Sequence, residues 1–289
     1  MISNTLLQKV KQLREITGVG FKDCKYAIDE NNGDIEKSIE FLRKKGIAKA
    51  RKKMGRVAAD GLVCIHEKDN KFSMIEINCE TDFAAKNNDF ITFAEEISKL
   101  ALASSGIMDN ILISKMTNKK TVKDNLVDFI SKIGEKITLR RSTFIGATNS
   151  INFSYTHSSL KKNIGKLGVL LSLETTKSKN DILDLGRQIA MQVAATSPLA
   201  IDKDDIDQNL LQKEKEIITE ELKNSKKNSK IVNNIIEGRL NKFISESTLL
   251  NQEWVMEPKK KVRDVIKEIA GHDKIKIKNF IRYKVGEGV

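Results

Sequence analysis

The sequence predicts an α+β protein made of a small helical unit, two mixed α+β units and a long helical hairpin. The first 46 residues carry apolar side chains at helical spacing, interrupted by glycine-containing breaks. From residue 62 the pattern changes to the two-residue alternation of strands, followed by helical stretches. Between residues 206 and 243, two apolar stripes of similar length flank a polar turn. With 289 residues, the chain is long enough for two or three domains.

Three short helices are expected at the N-terminus. Residues 17–20 break the first helix, because glycine supplies the positive φ angle that a helix end needs. Residues 31–33 end the second helix, and Asp34 caps the third. We expect the third helix to end at Gly46. The stretch 49–56 is basic and poor in large apolar residues, which predicts a linker.

The first α+β unit opens with two strand-like segments, residues 62–66 and 72–79, joined by a polar turn at 67–70. Alternate apolar side chains of the second segment share one face, which is therefore expected to be core. The elements that follow are helical patterns at 90–101 and 122–133 and a strand through Ile137 and Leu139.

A second α+β unit is expected from about residue 149, and a helical hairpin interrupts it. The elements of the unit are strands at 154–157 and 167–173, a helix at 182–193, a helix at 262–269 and a strand at 279–285. The hairpin has apolar stripes at 206–222 and 231–243, with a polar turn at 224–228 between them. The two stripes can bury each other, although a hairpin of this length often projects and finds a partner.

The formal net charge of +12 and the pI near 9.4 raise the question of nucleic-acid binding. The lysines are spread along nearly every predicted helix, and they do not alternate with aromatic stacking platforms. We therefore expect a solvated basic surface and no nucleic-acid partner. No apolar run approaches the roughly 20 residues of a membrane-spanning helix, so no membrane association is expected. The basic tract at 258–263 is interpreted as a solvated turn before a helix.

Motifs of enzyme chemistry are absent from the sequence. It contains no GxxxxGKS/T phosphate loop, no GxGxxG and no HExxH. His66, His157 and His272 lie far apart and share no metal-ligand spacing with a cysteine, so no metal site or cofactor is expected. Cys64 and Cys79 lie in strand patterns, where a buried thiol is the usual state. The sequence leaves a Cys–His nucleophile open.

The segment Thr81-Asp82-Phe83 lies at a strand-to-helix junction. Thr81 or Asp82 can accept backbone N–H bonds at the start of a helix. Most aromatic side chains belong to the core, so residue chemistry alone favours Phe83 as a staple between helix and sheet. An exposed contact residue is the alternative.

Short motifs in a fixed order carry a resemblance to a known family. They are VKQLREITGVG at residues 10–20, GRVAADG at 55–61, NCETDFAAK at 78–86, KIGE at 132–135, EGR at 237–239, VMEP at 255–258 and FIRYKVGEG at 280–288. Each motif alone is weakly specific, but together they cover nearly the whole chain. In this order the sequence resembles the bacterial elongation factor Ts family, the guanine-nucleotide exchange factors of elongation factor Tu.

The resemblance implies a division of the chain. It implies an N-terminal three-helix domain like the ubiquitin-associated (UBA) domain, a core of two α+β subdomains with antiparallel sheets, and an inserted antiparallel coiled-coil hairpin for dimerisation. The boundaries expected on this basis are 1–48 for the UBA-like domain, 49–56 for the basic linker, 57–148 for the first core subdomain, 149–205 and 247–289 for the second, and 206–246 for the hairpin.

The resemblance also implies a function without covalent chemistry. The chain is expected to bind GDP-bound elongation factor Tu and to release GDP by displacing the magnesium ion, and thus not to be an enzyme. The residues that this implies at the contact are Thr81, Asp82, Phe83 and Ala84, where Ala84 replaces a common valine, with Ile133, Gly134 and His157 as further contacts.

The cellular location and two rival functions complete the expectations. The resemblance begins close to residue 1, so no transit peptide is expected, and three scattered cysteines favour a reducing compartment such as the cytoplasm. One rival is a basic RNA-binding module, whose affinity would fall steeply with salt. The other is a helical adaptor in which residues 1–45 carry all of the activity.

Overall fold

The computed structural model describes residues 2–223 and 228–289, so most of the predicted polar turn at 224–228 lies outside the described residues. The N-terminal unit contains three helices, α1 (Ile2–Thr17), α2 (Phe21–Glu30) and α3 (Ile35–Lys53). Asp34 caps α3 as predicted, because its Oδ1 accepts a hydrogen bond from the Lys37 N–H at 3.0 Å. The residues that share the core of this unit are Val10, Leu13, Cys24, Ala27, Ile28 and Leu42.

The predicted end of α3 at Gly46 is wrong, because the helix continues to Lys53. A Cβ atom at Gly46 would lie 2.4 Å from the Ser131 Oγ, so this glycine allows α3 to pack closely against a later helix. The first five residues of the predicted linker at 49–56 are therefore helical.

The first sheet has four antiparallel strands in the order β3-β2-β1-β5. These strands are β1 (Asp60–Lys68), β2 (Lys71–Cys79), β3 (Thr138–Ile145) and β5 (Ile164–Gly165). The predicted turn at 67–70 is too long, since only Asp69 and Asn70 lie between β1 and β2. Their φ angles of 52° and 57° are typical of a tight two-residue hairpin turn.

Four helices belong to this first unit. They are α4 (Asp82–Ala85), α5 (Asn88–Ala103), α6 (Met108–Ile113) and α7 (Val122–Ile133). Side chains from the helices and from one face of the sheet form a single core, which includes Ile75, Ile77 and Cys79 of β2 as predicted. Helix α6 was not anticipated from the sequence.

The second sheet has three antiparallel strands in the order β4-β6-β9. They are β4 (Ile151–His157), β6 (Leu167–Thr175) and β9 (Ile275–Lys284). The helices α8 (Leu183–Thr196) and α11 (Val262–Ala270) pack on this sheet through a second core. All three strands run longer than the sequence pattern indicated.

The free faces of the two sheets contact each other through a third apolar cluster. Val63 and Met74 of the first sheet lie in it together with Leu170 and Tyr283 of the second. A Cβ atom at Gly168 would lie 2.6 Å from the Val63 Cγ1, so the sheets approach closely at this glycine. Both faces of β2 are consequently buried.

The helices α9 (Gln208–Leu222) and α10 (Ser229–Ser247) are inserted between α8 and α11. They contact each other, and Arg239 pairs with Glu221 across them. Ile217 and Ile231 of the two predicted apolar stripes remain more than half exposed. The basic tract predicted as a turn instead forms most of β8 (Glu257–Lys261), which pairs with β7 (Glu253–Trp254). No helix in the described ranges is long and apolar enough to cross a membrane.

Candidate functional site

The segment between β2 and α4 carries the candidate site. Thr81 is the N-cap of α4 in extended backbone conformation, with φ −128° and ψ 157°, and its Oγ1 accepts a hydrogen bond from the Ala84 N–H at 3.3 Å. The capping role predicted for this position is therefore confirmed for Thr81. We refer to residues 81–84 as the wedge segment.

Phe83 is 82% exposed, the highest value among the large hydrophobic side chains in the part of the chain that the structure describes. The favoured sequence interpretation, a staple between helix and sheet, is therefore wrong. The next two residues, Ala84 and Ala85, are buried in the core instead and anchor α4. Exposure of an apolar ring to water is unfavourable and does not stabilise the fold. Such a ring is typical of a site that contacts another molecule.

Asp82 lies beside Phe83 and forms an ion pair within the same turn. The Lys86 Nζ donates to the Asp82 Oδ2 at 2.7 Å, and this hydrogen bond holds the pKa of Asp82 below its usual range. Both side chains are exposed, so the pair contributes little to stability. Asp82 is ionised at neutral pH with or without this pair, so a carboxylate lies next to the Phe83 ring in the sequence.

The loop after α7 contacts the wedge segment directly. The Glu135 Oε2 accepts hydrogen bonds from the N–H groups of Glu80 and Thr81, both at 3.0 Å, and the Thr81 Oγ1 donates to the Glu135 Oε1 at 2.6 Å. In return, the Glu80 Oε1 accepts from the Lys136 N–H at 2.6 Å. Arg56 also pairs with Glu80, at 3.2 Å.

Ile133 and Gly134, predicted as further contacts, immediately precede this loop. Gly134 ends α7 in the left-handed conformation, with φ 83° and ψ 10°, and its N–H donates to the Ile130 O at 3.0 Å. A glycine is favoured there because other residues pay a steric cost in that region. Gly134 is exposed and Ile133 is half-buried, so the structure brings both to the surface beside the wedge segment.

His157 lies at the end of β4, and its connection to the wedge segment is indirect. Its Nδ1 is 3.0 Å from the Tyr155 hydroxyl, and its carbonyl accepts from the Lys166 N–H at 3.3 Å. The Lys166 ammonium in turn pairs with Asp60, the β1 residue opposite Cys79. His157 therefore lies at the same end of the two packed sheets, and the ring is exposed.

The three cysteines are free and buried, as predicted for Cys64 and Cys79. Burial raises the pKa of the Cys79 thiol to about 12 and raises that of Cys64 further. A thiolate is the reactive form of cysteine, so neither residue suits the Cys–His nucleophile that the sequence left open.

Two residues of the site, Glu80 and Glu135, lie in the family motifs at 78–86 and 132–135 but were not among the expected contact residues. They hold the two loops together through the hydrogen bond from the Glu80 N–H to the Glu135 Oε2, although 55 positions separate them in the chain. No pattern within either motif indicates this contact.

Comparison with known proteins defines the class. A family model described as Elongation factor TS matches residues 80–287, which include the wedge segment, the loop after α7 and β9. Elongation factor Ts of Bartonella tribocorum is 41% identical over 284 residues, covering 97% of this chain and 92% of that protein. Elongation factor Ts of Methylorubrum extorquens is 41% identical over 291 residues, covering 100% and 94%. That of Bartonella henselae is 42% identical over 286 residues, covering 97% and 92%.

At the level of class, these matches define a translation elongation factor. The chain belongs to the elongation factor Ts family.

Proposed function

We propose that the protein is a guanine-nucleotide exchange factor that binds GDP-bound elongation factor Tu and promotes GDP release. The observation that carries the proposal is the exposed Phe83, 82% accessible on a capped helical turn beside a charged Asp82. Thr81 completes the proposed contact. Ala84, the fourth residue that the resemblance implied there, is buried in the core, so it is proposed to support the turn from inside. An exposed aromatic on a rigid base is a typical anchor of a protein–protein contact.

The proposed mechanism is displacement of magnesium from the partner. In a GTPase, Mg²⁺ bridges the nucleotide phosphates to the protein and compensates their charge. If the wedge segment displaces the groups that hold this ion, the phosphates lose compensation and GDP affinity falls. Linkage then requires GDP to weaken binding of the factor by the same ratio, so incoming nucleotide expels it.

Such a mechanism acts by differential binding, so the protein is proposed not to be an enzyme and to need no cofactor. It would act in the cytoplasm, where translation takes place. Ile133, Gly134 and His157 are proposed as additional contacts, supported by their surface positions at the same end of the two sheets.

The remaining parts of the chain have proposed roles as well. The three N-terminal helices are proposed to form a UBA-like domain. The first core subdomain is proposed to span residues 57–148 and the second 149–205 and 247–289, with the hairpin at 206–246 inserted in it. The hairpin is proposed as an antiparallel coiled coil through which two copies can pair, since Ile217 and Ile231 are exposed on it. Light scattering after gel filtration measures the molar mass in solution and so distinguishes paired copies from single ones.

A nucleotide-release assay tests the proposed function. Elongation factor Tu carrying a fluorescent GDP and Mg²⁺ is mixed with excess unlabelled GDP, with and without the protein. We expect the wild-type chain to accelerate release. Phe83→Ala is expected to slow the accelerated rate by about 30-fold, because loss of an interface anchor costs roughly 2 kcal/mol.

The matched control is Ile113→Ala. Ile113 is 69% exposed and ends α6. The next residue, Ser114, accepts a hydrogen bond from the Val122 N–H at 3.0 Å, so Ile113 lies near the start of α7, at the opposite end of that helix from Gly134. It should leave the release rate unchanged. Wild-type protein that fails to accelerate release would refute the function, whereas equal activity of Phe83→Ala and wild type would refute only the role of the wedge segment.

Magnesium provides a second arm of the assay. If the factor acts by displacing the ion, excess Mg²⁺ should slow factor-driven release, and removal of Mg²⁺ with EDTA should leave the factor little to add. RNA binding that falls steeply with salt, without effect on GDP release, would instead favour the basic RNA-binding module.

A further inference from the structure

Two loops of the site hold each other by reciprocal hydrogen bonds, which we call the carboxylate clamp. The Glu135 carboxylate accepts from the N–H groups of Glu80 and Thr81 and from the Thr81 hydroxyl. The Glu80 carboxylate accepts from the Lys136 N–H at 2.6 Å. Each loop therefore supplies both a carboxylate and backbone donors to the other.

Bonds of this kind are suited to order loops that burial cannot order. Hydrogen bonds to a charged acceptor are stronger than neutral ones, and two or three per carboxylate restrict its position. Burial alone raises the pKa of Glu80, but hydrogen bonds from the Lys136 N–H and the Arg56 guanidinium more than offset this, so its pKa lies below the usual range. These bonds therefore favour the charged form, which is the form of a glutamate at neutral pH.

The position of Phe83 depends on this arrangement. Helix α4 has only four residues. Ala84 and Ala85 hold its inner face in the core, and the N-cap at Thr81 holds its first turn. The Phe83 ring is largely in solvent, so the ring itself does little to fix the turn that carries it. The capping hydroxyl of Thr81 is also the group that donates to Glu135.

We propose that Glu135 and Glu80 are positioning residues that join the wedge segment to the turn at Ile133 and Gly134, so that both engage the partner as one preformed surface. This inference rests on the proposed exchange function. Preforming the surface matters because a flexible wedge segment would pay the entropy of ordering after the rest of the surface has docked, in the step that displaces GDP. Glu135 and Glu80 need not touch the partner for this role.

The first test measures amide hydrogen exchange in the free protein, so its result does not depend on the proposed release of GDP. In the wild type, the amides of Glu80, Thr81 and Lys136 should be protected. Glu135→Ala should remove protection at residues 80 and 81. If the clamp is reciprocal, it should also reduce protection of the Lys136 amide, although the acceptor of that amide on Glu80 is intact.

The second test is GDP release as a function of factor concentration. With Glu135→Ala, the maximal release rate should fall about tenfold, whereas the half-saturating concentration should change less, because most of the contact surface remains. Glu135→Gln keeps the volume and one acceptor, so its maximal release rate should lie between those of wild type and Glu135→Ala. Thr81→Val removes the hydroxyl that donates to Glu135 and should lower the maximal release rate, as Glu135→Ala does.

Glu96 provides a matched control for the clamp chemistry. Its Oε1 accepts from the Thr117 N–H at 2.5 Å and from the Thr117 hydroxyl at 2.7 Å, so it holds another loop in the same way. That loop precedes α7, about 18 Å along a helix of 12 residues from Gly134. Glu96→Gln should leave the maximal release rate within about twofold of wild type.

The outcomes separate the clamp from the proposed function. Unchanged amide protection in folded Glu135→Ala and Glu135→Gln would overturn the clamp itself. Lost protection with an unchanged maximal rate would overturn its positioning role. If wild-type protein does not accelerate GDP release at all, the proposed function fails. The amide hydrogen-exchange data still decide whether the two loops are coupled. Thermal unfolding of each variant ensures that only folded protein is compared.

Discussion

Glu76 is a fully buried carboxylate in the middle of β2, and its replacement by glutamine gives a quantitative test of how the two sheets are joined. Its Oε1 accepts from the Arg140 Nη1 at 3.1 Å and from the Gly286 N–H at 2.9 Å, and its Oε2 accepts from the Arg141 Nε at 2.5 Å. Gly286 follows β9, so this one side chain connects the first sheet to the segment after the last strand of the second.

The expected cost of Glu76→Gln follows from the surroundings of the carboxylate. The amide retains volume but has one acceptor and no charge, so the guanidinium groups of Arg140 and Arg141 lose their buried counterion. Removing one partner of a buried ion pair costs about 3–5 kcal/mol. The side chains of the two arginines are 26% and 30% exposed, so water partly compensates them and the low end of that range applies. A loss of about 3 kcal/mol should lower the Tm by roughly 5 °C in a chain of this size.

Thermal unfolding followed by circular dichroism measures this effect, with Glu40→Gln as the control. Glu40 pairs with Lys44 at 2.9 Å on an exposed helix face, where a pair contributes less than about 1 kcal/mol. We expect a Tm shift of about 1 °C or less for the control. A Glu76→Gln protein as stable as the control variant would refute the reasoning, because it would mean that the buried charge is not needed for the junction.

The pH dependence gives the sign of the same contribution. Burial alone raises the pKa of Glu76, but hydrogen bonds from Gly286, Asn78 and Arg141 more than offset it, so the pKa in the folded state is lowered. A lowered pKa adds stability that is fully present above the unfolded value of about 4.3 and is lost as the pH falls through the folded value. The Tm difference between wild type and Glu76→Gln should therefore be constant from about pH 6 to 8 and shrink below about pH 4.

Two further predictions concern backbone conformation and thiol reactivity. Gly61 has a φ angle of 141°, and a Cβ there would lie 2.1 Å from the Ile77 O, so Gly61→Ala should cost more than about 3 kcal/mol in chemical denaturation. Gly20→Ala, where a Cβ meets nothing within 4 Å, should change stability by less than about 1 kcal/mol, and equal effects would contradict the steric argument. Because burial raises the thiol pKa of Cys64 and Cys79, a thiol reagent at pH 8 should leave both unmodified in folded protein and react with all three cysteines after denaturation; rapid labelling of either in the native state would be inconsistent with burial.

Periodicity in the sequence predicted most elements of the fold because it reports which face of an element is buried. The alternation in β2 and the helical stripes of α5 and α7 were found in the structure as expected. The errors arose where a residue serves a contact distant in sequence. Gly46 carries the local signal of a helix end, but its role is the close approach of α3 to Ser131. The lysine-rich tract after Pro258 likewise gives no periodic signal for the short strand β8 that it forms.

In the candidate site, too, the features set by neighbouring residues were predictable and those set by distant contacts were not. The position of the cap at Thr81 is a local property, since it depends on a hydroxyl three residues before the N–H that it accepts from, and the sequence was sufficient to predict it. The exposure of Phe83 is not local, because the same junction could bury or expose the ring. It depends on Ala84 and Ala85 filling the core in place of the ring. The contact between Glu135 and the N–H groups of Glu80 and Thr81 depends on where β2 and α7 end in space, which no pattern within either segment encodes. The residues proposed to hold the contact surface in place are therefore the part of this site that only a structure could reveal, and their replacement should separate positioning of that surface from the fold.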